Sequence, residues 1–448
     1  MNLLGTLRSR FGDFWWHALL LFCATRLGDA VNAFIALWLV PRYVPQEELG
    51  AVLPLGQFAA TLALPLSVFG MAFMKHVGTL AVAGEKGQVK SLMCGVFLAM
   101  AVLAALGLVA SRVVMGPVLE RLRVEKGMLG VLILATGFAG AVAPVYTNAL
   151  QALKRFRDLS LVVAFGAPLR LVVMLVAMPF RAISGYFAAQ TSMCLWQIGF
   201  SVFALRGELG ANVESVPFWN RENTRAFLKY TCLVALFFTP SLSQFVETLV
   251  IRQRLPGVES AAYYMISRFA EIGSYLGATL VAVVYPYAAE ATQRGGNADS
   301  MLVRASLASL VFGFLCAGVF LLCGRWLLAF LPGGGAYVQY VPQLAGLTVA
   351  LSLFAASNCA CVGEVAVSRF GFLRWFVPLH VLYAAALLLI SGYGYFAHLL
   401  PPAAKAWFAR VNASGMNWII AAMLILQAVK CACIILPIVR RRIVKESR

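Results

Sequence analysis

The sequence predicts an all-α, polytopic membrane protein of about twelve transmembrane helices, arranged as two six-helix pseudo-repeat lobes around a central cavity. Three observations predict it. Of 448 residues, 61% are hydrophobic and 12% charged, with a mean hydropathy of +0.84, whereas a soluble domain is about half apolar and about a quarter charged. The apolar residues run the whole length in continuous stretches such as 96–110, which excludes a single-span receptor and, for lack of alternation, a transmembrane β-barrel. Finally, about twelve spans of roughly 22 residues leave only short loops.

Taken in order, the spans fall near residues 16–40, 49–73, 91–111, 127–149, 160–180 and 184–205, then 227–250, 261–288, 303–324, 339–362, 372–395 and 416–438. The first follows Arg8, Arg10 and Asp13 and continues past Trp38. It is too long for the core of a secretory signal and is expected to remain as span one. Pro54 and Pro65 interrupt span two, Pro168 span five, Pro240 span seven and Pro286 span eight; each removes a backbone donor and can kink its helix. Spans five and six meet at a very short turn near Arg181. The longest polar connection, 206–226, divides the chain into lobes 1–215 and 216–448. Gly273 and Gly277 give span eight a small-x-x-x-small face suited to close packing. In span twelve, Lys430 lies ahead of the basic run Arg440, Arg441 and Arg442 and is expected to snorkel to the interface.

Charge sets the topology. An even number of spans puts both termini on one side. The loops on that side carry about 20 basic residues against about 11 opposite, so both termini are expected in the cytoplasm of a bacterial inner membrane. Residues 112–126 run against this count, partly offset by Glu120 and Glu125. The overall excess of 36 basic over 18 acidic residues is accounted for by these loops, and no nucleic-acid partner is expected.

The halves read as repeats. A shift of 211 residues aligns 39–59 with 250–270 without a gap, matching Pro45 with Pro256, Glu48 with Glu259, Ala51 with Ala262, Phe58 with Phe269 and Ala59 with Ala270. An even number of spans per repeat makes the repeats parallel, related by an axis along the membrane normal.

Enzymatic chemistry has no visible seat. No phosphate-binding G-x-x-x-x-G-K-[ST] loop occurs; the run Gly333, Gly334, Gly335 lacks its lysine. The 4 histidines are scattered, and the 10 cysteines lie mostly in apolar runs, with two C-x-C pairs that are poor metal clips on a helix. No cofactor, metal or catalytic residue is expected.

The informative residues are charges inside the spans, because a centrally placed Arg or Asp costs about 2.5–3.5 kcal/mol to insert and must face protein or water. Span one contains Arg26 and Asp29, span eight Arg268 and Glu271 at the same i,i+3 spacing, span five Arg170, and span seven Glu247. Each i,i+3 pair is either a self-neutralising ion pair in a packed interior or one wall of a cavity whose arginines meet an anion. A guanidinium offers phosphate bidentate, permanent charge. Arg26 and Arg268 are therefore the candidate headgroup-phosphate contacts, and Arg170 is either a further one or a snorkelling side chain. Asp29, Glu271 and Glu247 are the orienting or ion-coupling candidates. Tyr263 and Tyr264, one turn before Arg268, are candidates for stacking on a sugar or for the interfacial aromatic belt.

Several stretches carry a family likeness. Thr25-Arg26-Leu27-Gly28, Ala36-Leu37 and Val44-Pro45-Gln46-Glu47-Glu48-Leu49-Gly50, then Gly70, Lys75-His76 and Gly84-Glu85-Lys86-Gly87, resemble the first two helices of bacterial polysaccharide (O-antigen type) flippases. Tyr263-Tyr264 with Arg268, followed by Tyr285-Pro286 and Glu290, resembles the eighth helix of the same multidrug/oligosaccharidyl-lipid/polysaccharide exporter superfamily. The visible likeness covers about residues 20–310. It implies export of a polyprenyl-pyrophosphate-linked oligosaccharide by alternating access, with membrane lipid and a polysaccharide polymerase or glycosyltransferase as partners. In the superfamily's lipid II branch an acidic residue commonly follows the first-helix arginine; here Leu27 does, and two extra C-terminal helices are absent. Both departures favour the polysaccharide branch. The alternatives are a multidrug or other cation-coupled antiporter, a lipid II flippase, and a non-transporting partner of a polysaccharide synthase.

Overall fold

A computed structural model describes residues 3–121, 128–209, 213–255, 257–293, 298–392, 398 and 400–446. Among the described residues every regular element is helical: α1 (Leu3–Phe34), α2 (Val40–Tyr43), α3 (Gln46–Leu49), α4 (Val52–Leu62), α5 (Leu64–Val82), α6 (Lys86–Arg121), α7 (Met128–Ala152), α8 (Phe156–Ala177), α9 (Ala182–Leu209), α10 (Arg221–Phe237), α11 (Thr239–Arg254), α12 (Gly257–Ala270), α13 (Tyr275–Gln293), α14 (Asp299–Ala329), α15 (Val341–Ala366), α16 (Leu373–Ser391), α17 (Pro402–Ala413) and α18 (Met416–Glu446). Most of each of the twelve predicted spans falls on these helices, with turns at 50–51, 63, 178–180, 238, 372 and 392; residues 127 and 393–395 lie outside the described residues. Nine of the described helical segments are long and apolar enough to cross a membrane by length and composition.

Proline placement explains most breaks. Span two divides at Ala63, where Pro65 opens α5, and span seven divides at Phe238, where Pro240 opens α11. Pro168 sits inside an unbroken α8. In span eight the irregularity is at Glu271–Ser274, a 3₁₀ turn, and not at Pro286, which lies within α13. Span one holds a feature the sequence reading missed. Residues Ile35–Leu39 form a π-helical turn. Pro41 follows, and it brings no N–H to the ladder while its ring crowds the carbonyl four residues back, which widens the turn. The carbonyl of Ala36, which would bond the amide of residue 41 in a π-helix, instead accepts the Tyr264 hydroxyl at 3.2 Å.

The chain divides into two compact units: Met1–Ile35, 62–118 and 125–235 in the first, Ala36–Thr61, 119–124 and 236–448 in the second. In the first unit α1 packs on α8, α5 on α7, and α7 on α9. In the second, α11 packs on α16, α13 on α15, and α15 on α18. These are the same pairings, spans one with five, two with four, four with six, repeated as seven with eleven, eight with ten, ten with twelve. The repeat read from the sequence is thus present in the packing.

Within the second unit the two aligned segments meet, α3 against α12. Gly50 is the closest point: a Cβ there would lie 2.2 Å from Ser260 Oγ and 2.9 Å from its Cβ. Gly50→Ala is expected to lower stability by about 1–3 kcal/mol, read as a fall in the detergent melting temperature. A seam of small residues does the same work elsewhere. A Cβ at Gly273 would meet Thr348, one at Gly277 would meet Ser309 and Ala355, and one at Gly313 would meet Ser352, as expected for helices packed through small side chains.

Candidate transport site

In the first unit, Arg26, Asp29 and Asn32 follow one another at three-residue spacing along α1, a polar stripe in its more apolar C-terminal half. Arg26 Nη2 lies 2.9 Å from Asp29 Oδ2, with the two side chains about a quarter exposed, and its guanidinium stands 5.1 Å from the Phe22 ring centroid. α8 supplies Arg170, which is buried at 8% exposure. Its Nη1 donates to Asn32 Oδ1 at 2.8 Å, and its guanidinium lies 5.0 Å from the Tyr186 ring on α9. Its Nε has no acceptor, and no carboxylate pairs with it among the described residues. Among the described residues, Arg170 is therefore a buried cation compensated by an amide oxygen and an aromatic face. Close packing brings it there: the backbone of α8 lies within van der Waals reach of Gly28 on α1.

In the second unit, Arg268 Nη1 lies 2.9 Å from Glu271 and its guanidinium 5.6 Å from the Tyr264 ring. The i,i+3 pairs expected from spacing are thus formed on both helices. Glu247, buried on α11, accepts hydroxyls from Tyr263 at 2.5 Å and Tyr383 at 2.7 Å. No basic residue pairs with it among the described residues. One turn back, Ser243 lies 3.0 Å from His380 Nδ1 on α16. Ser243 stands where the 211-residue shift places Asn32, and His380 is one position from the counterpart of Arg170. The span one–five bond of the first unit thus has a span seven–eleven equivalent in the second.

Two readings change. Tyr263 and Tyr264 are 4% and 1% exposed, with their hydroxyls spent on Glu247 and Ala36. Neither offers a free face to a sugar in this structure; both hold the framework. Lys430 does not snorkel. It is 1% exposed, with Nζ 4.3 Å from the Phe354 ring centroid and 5.6 Å from that of Phe376. Asn32, Tyr383, Ser243 and His380 were missed by a reading confined to charges. The three-residue spacing of Asn32 from Asp29 was the available signal for the first of them.

A separate cluster ties three helices at one end of the second unit. Asp299, fully buried, receives Arg369 Nη1 at 2.8 Å, and Arg441 Nη2 donates to Glu364 at 2.6 Å. Cross-contacts of 3.6 and 3.8 Å complete a four-membered ion network.

No protein-family model matches the chain, and no curated protein matches it in sequence. Solved structures do match over almost the full length. An inward-facing multidrug resistance MATE family transporter of the MOP superfamily aligns with TM-score 0.64 at 13% identity, covering 94% of each chain. An aspartate-to-asparagine variant of a Vibrio cholerae MATE transporter aligns with TM-score 0.69 at 14% identity over 98% of each. A MOP superfamily transporter from Pyrococcus furiosus, described by the reverse polarity of its binding pocket, aligns with TM-score 0.65 at 16% identity over 98% of each. With its repeated helix pairings and these alignments, the chain has the fold of the MATE transporters of the MOP superfamily.

Proposed function

We propose that this chain is a secondary flippase. It moves a polyprenyl-pyrophosphate-linked oligosaccharide from the cytoplasmic to the outer leaflet of a bacterial inner membrane by alternating access, with 1–215 and 216–448 as its lobes. The observation that carries the reading is Arg170. A permanently charged guanidinium, buried in a spanning helix and lacking a carboxylate, is costly unless an anion meets it during function. Arg26 and Arg268 act by partner exchange: a pyrophosphate competes with Asp29 and Glu271 for guanidinium groups already held in place. Asp29 and Glu271 orient the arginines, and Glu247, fixed by two tyrosine hydroxyls, is the ion-coupling candidate. The lipid tail stays in the bilayer, and a polymerase or glycosyltransferase outside consumes the product. The Pyrococcus furiosus transporter, described by the reverse polarity of its binding pocket and a suggested different function, supports the compatibility of this fold with more than one pocket polarity.

A second reading, a cation-coupled multidrug antiporter, is favoured by the multidrug resistance transporter among the aligned structures and by a partly exposed carboxylate, Asp29, in span one. Proteoliposomes separate the two. The flippase is expected to move a fluorescent polyprenyl-pyrophosphate sugar and not a cationic dye. Dye efflux driven by an imposed ion gradient, with no lipid movement, would transfer the assignment to the antiporter. Movement of neither by folded protein would leave the non-transporting partner.

A further inference from the structure

We propose that Lys430 is a proton-binding site in the second unit, an internal charge taken up and given up during the cycle; this rests on the exporter reading above. The side chain is 1% exposed in the middle of span twelve. No carboxylate pairs with it among the described residues. What faces it is aromatic or weakly polar. From α15 come Phe354 at 4.3 Å and the Cys361 thiol, from α16 Phe376 at 5.6 Å, and from α18 itself Cys431. His380, also 1% exposed, has its ring centroid 4.9 Å from that of Phe376, gives Nδ1 to Ser243 and leaves Nε2 without a partner. The nearest acid along α15, Glu364, is engaged by Arg441 and Arg369, and Asp299 on α14 is engaged by Arg369.

An ammonium compensated only by ring faces is held in the membrane by a narrow margin, so a change in hydration or in the packing of α16 is enough to decide its charge. Residue type matters. Arginine stays charged under all conditions of life, whereas a buried lysine exchanges its proton readily. The two halves thus divide the labour. Span five of the first carries a fixed cation, Arg170, while the pseudo-equivalent span eleven of the second carries His380 beside an exchangeable one. The step is R–NH3⁺ to R–NH2 plus H⁺, the proton passing to water on whichever side the site opens.

The test is solid-state NMR on the full chain in phosphatidylethanolamine–phosphatidylglycerol bilayers, with lysine labelled at 15Nζ. The Lys430 resonance is assigned by its disappearance in Lys430→Arg and, independently, in Lys430→Met. Between about pH 5 and about pH 9 it is expected to move from the ammonium to the amine position. The same Lys430→Arg protein is expected to bind the lipid-linked sugar and lose the response of its transport to an imposed pH gradient. An ammonium resonance fixed across the whole range overturns the proposal, as does gradient-driven transport by Lys430→Arg equal to wild type. Should both Lys430 variants misfold, His380→Asn keeps the lysine and is expected to displace its titration, and an unmoved titration counts against the site. The resonance needs no substrate, so its outcome is separate from that of the flipping assay.

Discussion

Replacing Arg170 with methionine is expected to reduce movement of a pyrophosphate-linked lipid by roughly a hundredfold or more, while the folded protein becomes no less stable. Both halves follow from the same geometry. The guanidinium is buried, and Asn32 Oδ1 and the Tyr186 ring are its compensation. Removing a charge so placed relieves its desolvation, an effect of about 1–3 kcal/mol in favour of the variant once the lost hydrogen bond is set against it. A structural arginine would behave in the opposite way, its loss lowering the melting temperature and sparing transport. Arg170→Lys separates charge from shape: a point charge retains part of the activity, and loss as complete as in the methionine variant would assign the role to bidentate contact. The measurement is a pair, flipping rate in proteoliposomes and melting temperature in the same detergent. Unchanged flipping in a stabilised variant would end the claim that this cation meets substrate.

The largest effect on stability is expected from Arg441→Ala. This guanidinium approaches both Glu364 and Asp299, at 2.6 and 3.8 Å, and those carboxylates are 7% and 0% exposed. Its loss takes from two buried acids a guanidinium that approaches both. Breaking a buried pair from one side costs about 3–5 kcal/mol. Because the arginine side chain is itself 37% exposed, the lower end, about 3 kcal/mol, is expected. The double variant Arg441→Gln with Glu364→Gln, which removes one charge of each sign, should recover most of it. A melting temperature that is unchanged in the single variant, or not restored in the double, would show that the network is not what joins α14, α15 and α18.

Much of this was legible in the sequence, for physical reasons. Hydropathy read the spans because a helix must present about twenty apolar residues to lipid. The i,i+3 spacing of Arg26 with Asp29, and of Arg268 with Glu271, read the ion pairs because the helix itself places those side chains together. What one sequence does not display is contact between distant spans. The Asn32–Arg170 bond crosses 138 positions and the Tyr383–Glu247 bond 136. Neither end announces its partner, so Glu247 and Tyr263 are named by the sequence but not their bond, Tyr383 is not named at all, and Tyr263 serves a carboxylate where the sequence leaves it between a sugar and the interfacial belt. Lys430 was misplaced because snorkelling was inferred from its distance along the helix to the basic tail. Its fate was decided by Phe354 and Phe376, aromatic faces contributed by two other spans. Pro286 failed as a marker for the converse reason, since a proline tolerated within a packed helix need not break it.

The π turn of span one bears on how the chain is made. Ala36 has a carbonyl that Pro41 cannot serve, and the hydroxyl that serves it arrives 228 residues later, on Tyr264. The segment from Ala36 to Thr61 groups with residues 236–448. During synthesis, then, span one precedes the tyrosine that bonds its Ala36 carbonyl by more than two hundred residues, and the contacts that group residues 36–61 with the second unit are completed only once span eight has joined them.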